Sequence, residues 1–252
     1  MSPSLAVSAL LLGAIVGSFL NMVIARLPRK ESLVLPPSHC LACMAPIRWY
    51  DNVPLLSYLW LRGRCRDCGS RIGWRYPLVE AVTGALFVLA VRQFGLTPQL
   101  VLALFLLSAL VAVTAIDLEH QLIPDRITLP GITVGFLGSL VTPRLVWVDS
   151  LLGILVGGGI LFAIIMLSGG GMGGGDMKLA AMMGAFLGWK LTLVALFLGA
   201  LLGGLVAMAL LASGRRRRKD PVPFGPFLAT GALVSLFWGE GLLRWYLGGF
   251  GR

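Results

Sequence analysis

Charge is scarce in this chain. Of its 252 residues 13% are charged and only 11 are acidic, while 57% are hydrophobic, at a mean hydropathy of +0.88. So little polar surface cannot cover a water-soluble globule, which excludes the soluble classes of enzyme and binding protein. Aromatic residues are also few, at 9%, whereas glycine is abundant at 33 residues. That balance favours packed transmembrane helices over a lipid-facing barrel of alternating strands. No basic residue precedes the first apolar run, 4–24, and Arg26, Arg29 and Lys30 follow it, the reverse of a cleavable signal peptide. The run is expected to persist as a first helix with its C-terminal end in the cytoplasm.

Further apolar runs occupy 78–95, 100–116, 128–146, 150–168, 177–189, 191–212 and 224–247. A crossing takes about 20 residues, so the predicted fold is an all-α polytopic membrane protein of about eight transmembrane helices with one small polar insertion. The run 177–189 is short and is expected to be tilted or merged with its neighbour. On the first helix, Gly13 and Gly17 lie four apart with Ser18 and Asn21 on a nearby face, a stripe suited to meeting another helix. Threading the runs alternately puts 16 of the 21 basic residues on or beside one set of connectors, as the positive-inside rule requires of the cytoplasmic side. The net charge of +10 thereby reads as membrane topology rather than as a nucleic-acid surface. Arg215–Lys219 reads as an anchor that meets anionic lipid. Three parts result: the first helix, 1–25; a cytoplasmic insertion, 26–77; and a transmembrane helical core, 78–252.

All four cysteines fall in the insertion, as Cys40-Leu-Ala-Cys43 and Cys65-Arg-Asp-Cys68 with 21 residues between the pairs. Two such knuckles supply four thiolates in the tetrahedral set that zinc prefers, and a polar stretch of some fifty residues with little core needs a staple. Two disulfides are the alternative, against which a reducing cytosol weighs. Four thiolates leave no open position for water, so the zinc would be structural.

Three of the 11 acids, Asp117, Asp125 and Asp176, sit where apolar runs end on the same side. Ionisable groups at such depths are costly and usually functional. Asp125 and Asp176 are also placed to cap helices, a role worth about 1 kcal/mol each. Capping of its own helix does not explain Asp117, at a helix C-terminus where the dipole disfavours negative charge. Asp176 closes a glycine run, 169–175, that lets another backbone approach closely. Two carboxylates brought together can share one proton, one acting as base on a water while the other donates to a carbonyl, because like charges about 3 Å apart cannot both ionise. Peptide hydrolysis needs that arrangement and no metal.

Gly17-Ser18-Phe19-Leu20-Asn21, Arg26-Leu27-Pro28, Ser38-His39-Cys40, Ile47 to Pro54 and Arg75-Tyr76-Pro77-Leu78-Val79-Glu80 together resemble the N-terminal half of bacterial type IV prepilin peptidases. Asp117 to Asp125, Met172 to Leu179 and Pro223-Phe224-Gly225-Pro226-Phe227 resemble the C-terminal half. The resemblance covers nearly the whole chain in order. It implies that Asp117, the first Asp of D-x-x-x-x-x-x-P-D, and Asp176, the Asp of the G-x-G-D turn, are the catalytic pair of an intramembrane aspartyl protease; presenilin-like proteases are similar in the second motif. It implies cleavage of the short basic leader of prepilins and pseudopilins after a glycine, at the cytoplasmic face of the bacterial inner membrane. It also implies N-methylation of the new terminus with S-adenosylmethionine, although no Gly-rich loop of the soluble cofactor-binding kind is present. Leu41 departs from the proline common in the first knuckle, and Gly174 fills the variable position of G-x-G-D. A transporter that binds a cation at the same aspartates is the rival reading; it leaves the four-cysteine insertion unexplained.

Overall fold

The computed structural model describes residues 2–35, 37–143, 145–168, 173–213 and 222–249. The basic cluster Arg215–Lys219 and the start of the glycine run, 169–172, lie outside the described residues. Among the described residues the chain is helical, with two isolated bridges and no strand. It divides into two compact units, Met1–Leu100 and Val101–Arg252.

The first unit is built on α1 (Pro3–Arg26) and α3 (Arg75–Phe94). Proline is tolerated in the first turn of α1 because no intrahelical acceptor awaits its nitrogen, and the Ser2 hydroxyl caps that turn by accepting from the Leu5 N–H at 3.3 Å. The stripe expected on α1 is the face that meets α3. A Cβ at Gly13 would strike the Gly84 backbone, one at Gly17 would lie 2.7 Å from Cα of Glu80, and the Asn21 amide donates to the Tyr76 carbonyl at 3.0 Å. Each step of four along α1 is thus a step of four back along α3, which makes the pair antiparallel with backbones in close approach, as small residues allow in lipid.

Between these helices lie a 3-10 turn, Trp49–Asn52, a short α2 (Leu56–Trp60) and two knuckles of one design. In the first, Cys40 N–H donates to the Ala45 carbonyl and Met44 N–H to the Cys40 carbonyl; in the second, Cys65 and Gly69 repeat the pattern with Ser70 and Cys65. The residue after each second cysteine has positive φ, Met44 at 59° and Gly69 at 69°.

The second unit contains α4 (Pro98–His120, from residue 101 on), α5 (Asp125–Ser139), α6 (Trp147–Leu167), α7 (Gly174–Ala212) and α8 (Gly225–Gly249). Its core gathers Leu106, Leu110, Val113, Leu179, Met182, Met183 and Leu228. The α7 segment is two helices joined at a kink. Gly188 has φ 72° and ψ 168°, and a Cβ on Gly157 of α6 would touch both the Ala180 carbonyl and, at 3.1 Å, the Thr192 methyl. In a straight helix those residues would be about 18 Å apart, so the chain folds back at Gly188. The short run 177–189 is merged with its neighbour as a hairpin of two crossings. With that reversal the helices account for all eight apolar runs, six of the elements being long and apolar enough to cross a membrane by themselves. The protein is a multi-pass membrane protein.

Candidate active site and metal centre

Asp117 lies in the last turn of α4 and is 4% exposed. Its Oδ2 accepts from the Gly225 N–H, at the start of α8, at 2.9 Å. A helix leaves its first N–H groups without intrahelical partners, and their partial positive charge favours an anion. A carboxylate that is poorly placed on its own helix is therefore well placed against α8.

Asp176 is in the first turn of α7, half-buried, with its N–H on the Gly173 carbonyl at 3.2 Å. Ile123, in the link from α4 to α5, is wedged at both sides of this site. A Cβ at Gly175 would lie 2.8 Å from Ile123 Cβ, and one at Gly225 would lie 2.7 Å from Asp117 Oδ2 and 3.3 Å from Ile123 Cδ1.

The capping expectations fail. Helix α5 starts at Asp125 after Pro124, with no side-chain cap, and α7 starts after Gly173, likewise uncapped by a side chain. The Asp125 carboxylate instead receives Lys178 Nζ on both oxygens at 2.7 Å. This ion pair ties the start of α5 to the turn after Asp176. Asp125 is exposed and occupied by a lysine, whereas Asp117 is buried.

In the insertion the four cysteines are free, and their sulfurs all lie within 4.8 Å of one another. Cys40 and Cys68 sulfurs are 3.8 Å apart, close to the ~3.8 Å edge of a tetrahedron with zinc–sulfur bonds of about 2.3 Å. Backbone N–H groups of Cys43 and Ala42 pull the Cys40 thiol down to about 6. Cys43, despite the Ala45 N–H beside it, is pushed up to about 12 by burial and the three sulfurs that face it. Negative charge crowded in this way calls for a dication, and the residues fit zinc.

Comparison with known proteins agrees with this geometry. Residues 11–94 match the model of the bacterial peptidase A24 N-terminal domain, and 104–208 match that of the type IV leader peptidase family. A prepilin leader peptidase/N-methyltransferase of Aeromonas hydrophila is 38% identical over 95% of this chain and 93% of its own length. The chain belongs to the type IV leader peptidase family. Two more prepilin leader peptidase/N-methyltransferases are similar: that of Pseudomonas aeruginosa, 36% identical over 94% of this chain and 92% of its own, and that of Myxococcus xanthus, 44% identical over 84% and 65%. No solved structure matches.

Sequence reasoning missed three parts of the family site: the Gly225 N–H on Asp117, the Ile123 wedge and the Lys178 partner of Asp125. The Pro223–Phe227 motif was the available signal for the first, since a glycine between prolines at a helix start marks a backbone held close to something. Nothing in the local sequence announces the other two.

Proposed function

We propose that this protein removes the leader of type IV prepilins and pseudopilins after a glycine, at the cytoplasmic face of the inner membrane, and then N-methylates the new terminus. The observation that carries cleavage is that buried Asp117, bonded by the Gly225 N–H, and the turn that carries Asp176 lie against the same residue, Ile123. One carboxylate, ionised, takes a proton from water as the water oxygen adds to the scissile carbonyl. The other, protonated, gives its proton to the carbonyl oxygen; the first then gives the proton it took from water to the departing amine as the C–N bond breaks, and the second recovers a proton from the collapsing diol. Gly174, beside Asp176, has open space where a side chain would stand, and a glycine at the cleavage point weakens the substrate's own helix.

Cys40, Cys43, Cys65 and Cys68 would hold one zinc that closes the insertion between α1 and α3 structurally. The insertion, with nine basic residues against three acids over 26–76, lies against anionic headgroups. S-adenosylmethionine is the co-substrate of the second reaction. The relatives named above are peptidases, and the transporter reading is set aside. Incubating the purified protein with a prepilin and S-adenosylmethionine, then weighing the product, tests both activities. Loss of the leader mass and gain of one methyl are expected; an uncut prepilin overturns the reading.

A further inference from the structure

The first unit holds a buried carboxylate that leader cleavage does not use. Glu80, 8% exposed, stands on the face of α3 that meets α1. Its Oε2 accepts from the Leu55 N–H at 2.8 Å. Leu55 holds φ at 61°, a conformation that side-chain-bearing residues rarely adopt. Such strain persists where the surroundings over-determine it and gathers at functional sites. That donor is neutral, and no ion pair to Glu80 is found among the described residues. A buried charge in that condition is expensive.

One turn further along α1 is Asn21, 2% exposed. Its Nδ2 donates to the Tyr76 carbonyl, which sets the orientation of the amide and leaves Oδ1 buried without a hydrogen-bond partner. Tyr76 is one turn from Glu80 on α3, about 6 Å along the axis. The α1–α3 seam therefore presents an unmatched negative charge and an unmatched acceptor within one turn of each other. A primary ammonium, with three donors and one positive charge, answers both.

We infer that Glu80 and the Asn21 Oδ1 receive the N-terminal ammonium released by leader cleavage, with Glu80 as the base for its methylation. The inference rests on the methyl-transfer reading above. The ammonium gives one proton to the Glu80 carboxylate. Its freed lone pair then attacks the methyl carbon of S-adenosylmethionine; the N–C bond forms as the C–S bond breaks, and that electron pair stays on sulfur, leaving S-adenosylhomocysteine. Positive charge leaves sulfur and reappears on the methylated nitrogen, beside Glu80, which passes its proton to water.

Glu80→Gln in the full-length protein keeps the size and still accepts from Leu55, but has neither charge nor basicity. With a prepilin and S-adenosylmethionine, it should cleave the leader and retain zinc as the unmodified protein does. Methylated product should fall about 100-fold or more, with KM raised for the cleaved peptide and not for the methyl donor. Glu80→Asp, which restores the charge, should recover part of the loss. Unchanged methylation by Glu80→Gln overturns the inference, and so does loss of zinc together with methyl transfer, which would make Glu80 a structural clamp. Calorimetry showing weakened S-adenosylmethionine but intact S-adenosylhomocysteine binding would move the carboxylate to the sulfonium and overturn it as well. An unmodified protein that leaves its product unmethylated fails at the earlier reading, a result distinct from the others.

Discussion

The Gly225 N–H and the Asp117 carboxylate, 108 positions apart in sequence, meet at 2.9 Å in the buried part of the second unit. The start of one helix thereby holds the acid on the end of another. A methyl group at Gly225 would stand 2.7 Å from Oδ2, closer than the hydrogen bond it would crowd. Gly225→Ala is expected to slow leader cleavage about 100-fold, the usual cost of one misplaced backbone donor, with zinc content unchanged. Cleavage within a factor of three of the unmodified rate would show that this bond does not position Asp117.

Asp117→Asn or Asp176→Asn keeps size and much of the hydrogen bonding but removes a proton-transfer group. Either should lower cleavage by about 10⁴-fold, as removal of a member of a catalytic unit does, at nearly normal protein level. Asp125→Asn loses only the exposed pair with Lys178 and should retain most activity, because such pairs contribute about 0–1 kcal/mol. An inactive Asp125→Asn beside an active Asp117→Asn would transfer the first catalytic role to Asp125.

Metal analysis of protein prepared without oxidation should give about one zinc per chain, absent from a Cys40→Ser, Cys65→Ser double variant. Two disulfides and no metal in the same preparation would remove the zinc assignment.

Arg66 holds Asp51 bidentately, at 2.8 and 2.6 Å, and keeps its carboxyl below the usual carboxylate range. A depressed carboxylate stabilises the fold fully above its unfolded pKa of about 3.9 and loses that effect only as pH falls through the lower folded value. Asp51→Asn should therefore speed zinc release to a chelator by the same few-fold factor at pH 5 and at pH 7, and less at high salt. A difference that disappears by pH 5 contradicts the pairing.

At Gly188, φ 72° with ψ 168° lies where only glycine is at ease. Gly188→Ala should lower the stability of the second unit by about 1–3 kcal/mol, read as an earlier unfolding transition in detergent by the fluorescence of Trp189, whose indole N–H donates to Asp149 at 3.1 Å. An unchanged transition would mean that the reversal tolerates a side chain.

Composition and periodicity were enough for the membrane, the helices and the number of apolar runs, because in lipid every backbone group must be satisfied within its own segment. The Cys-x-x-Cys pairs were equally legible, since a knuckle is local and its spacing encodes the ligand set. The glycines and polar residues on α1 announced a packing face, though not the partner, and the identity of α3 as that partner depends on register across residues 13 to 84. The pairing of Asp117 with Asp176 came from motif resemblance; spacing left capping open, and only the tertiary structure removed it by placing Pro124 and Gly173 at the helix starts. The reversal at Gly188, the Gly225 bond, the Ile123 wedge and the Lys178–Asp125 pair all join residues distant in sequence. Each depends on where a whole helix ends up, which no local propensity contains, so the chain's local rules determined its elements and their packing alone decided which acid is held, by what, and against which backbone.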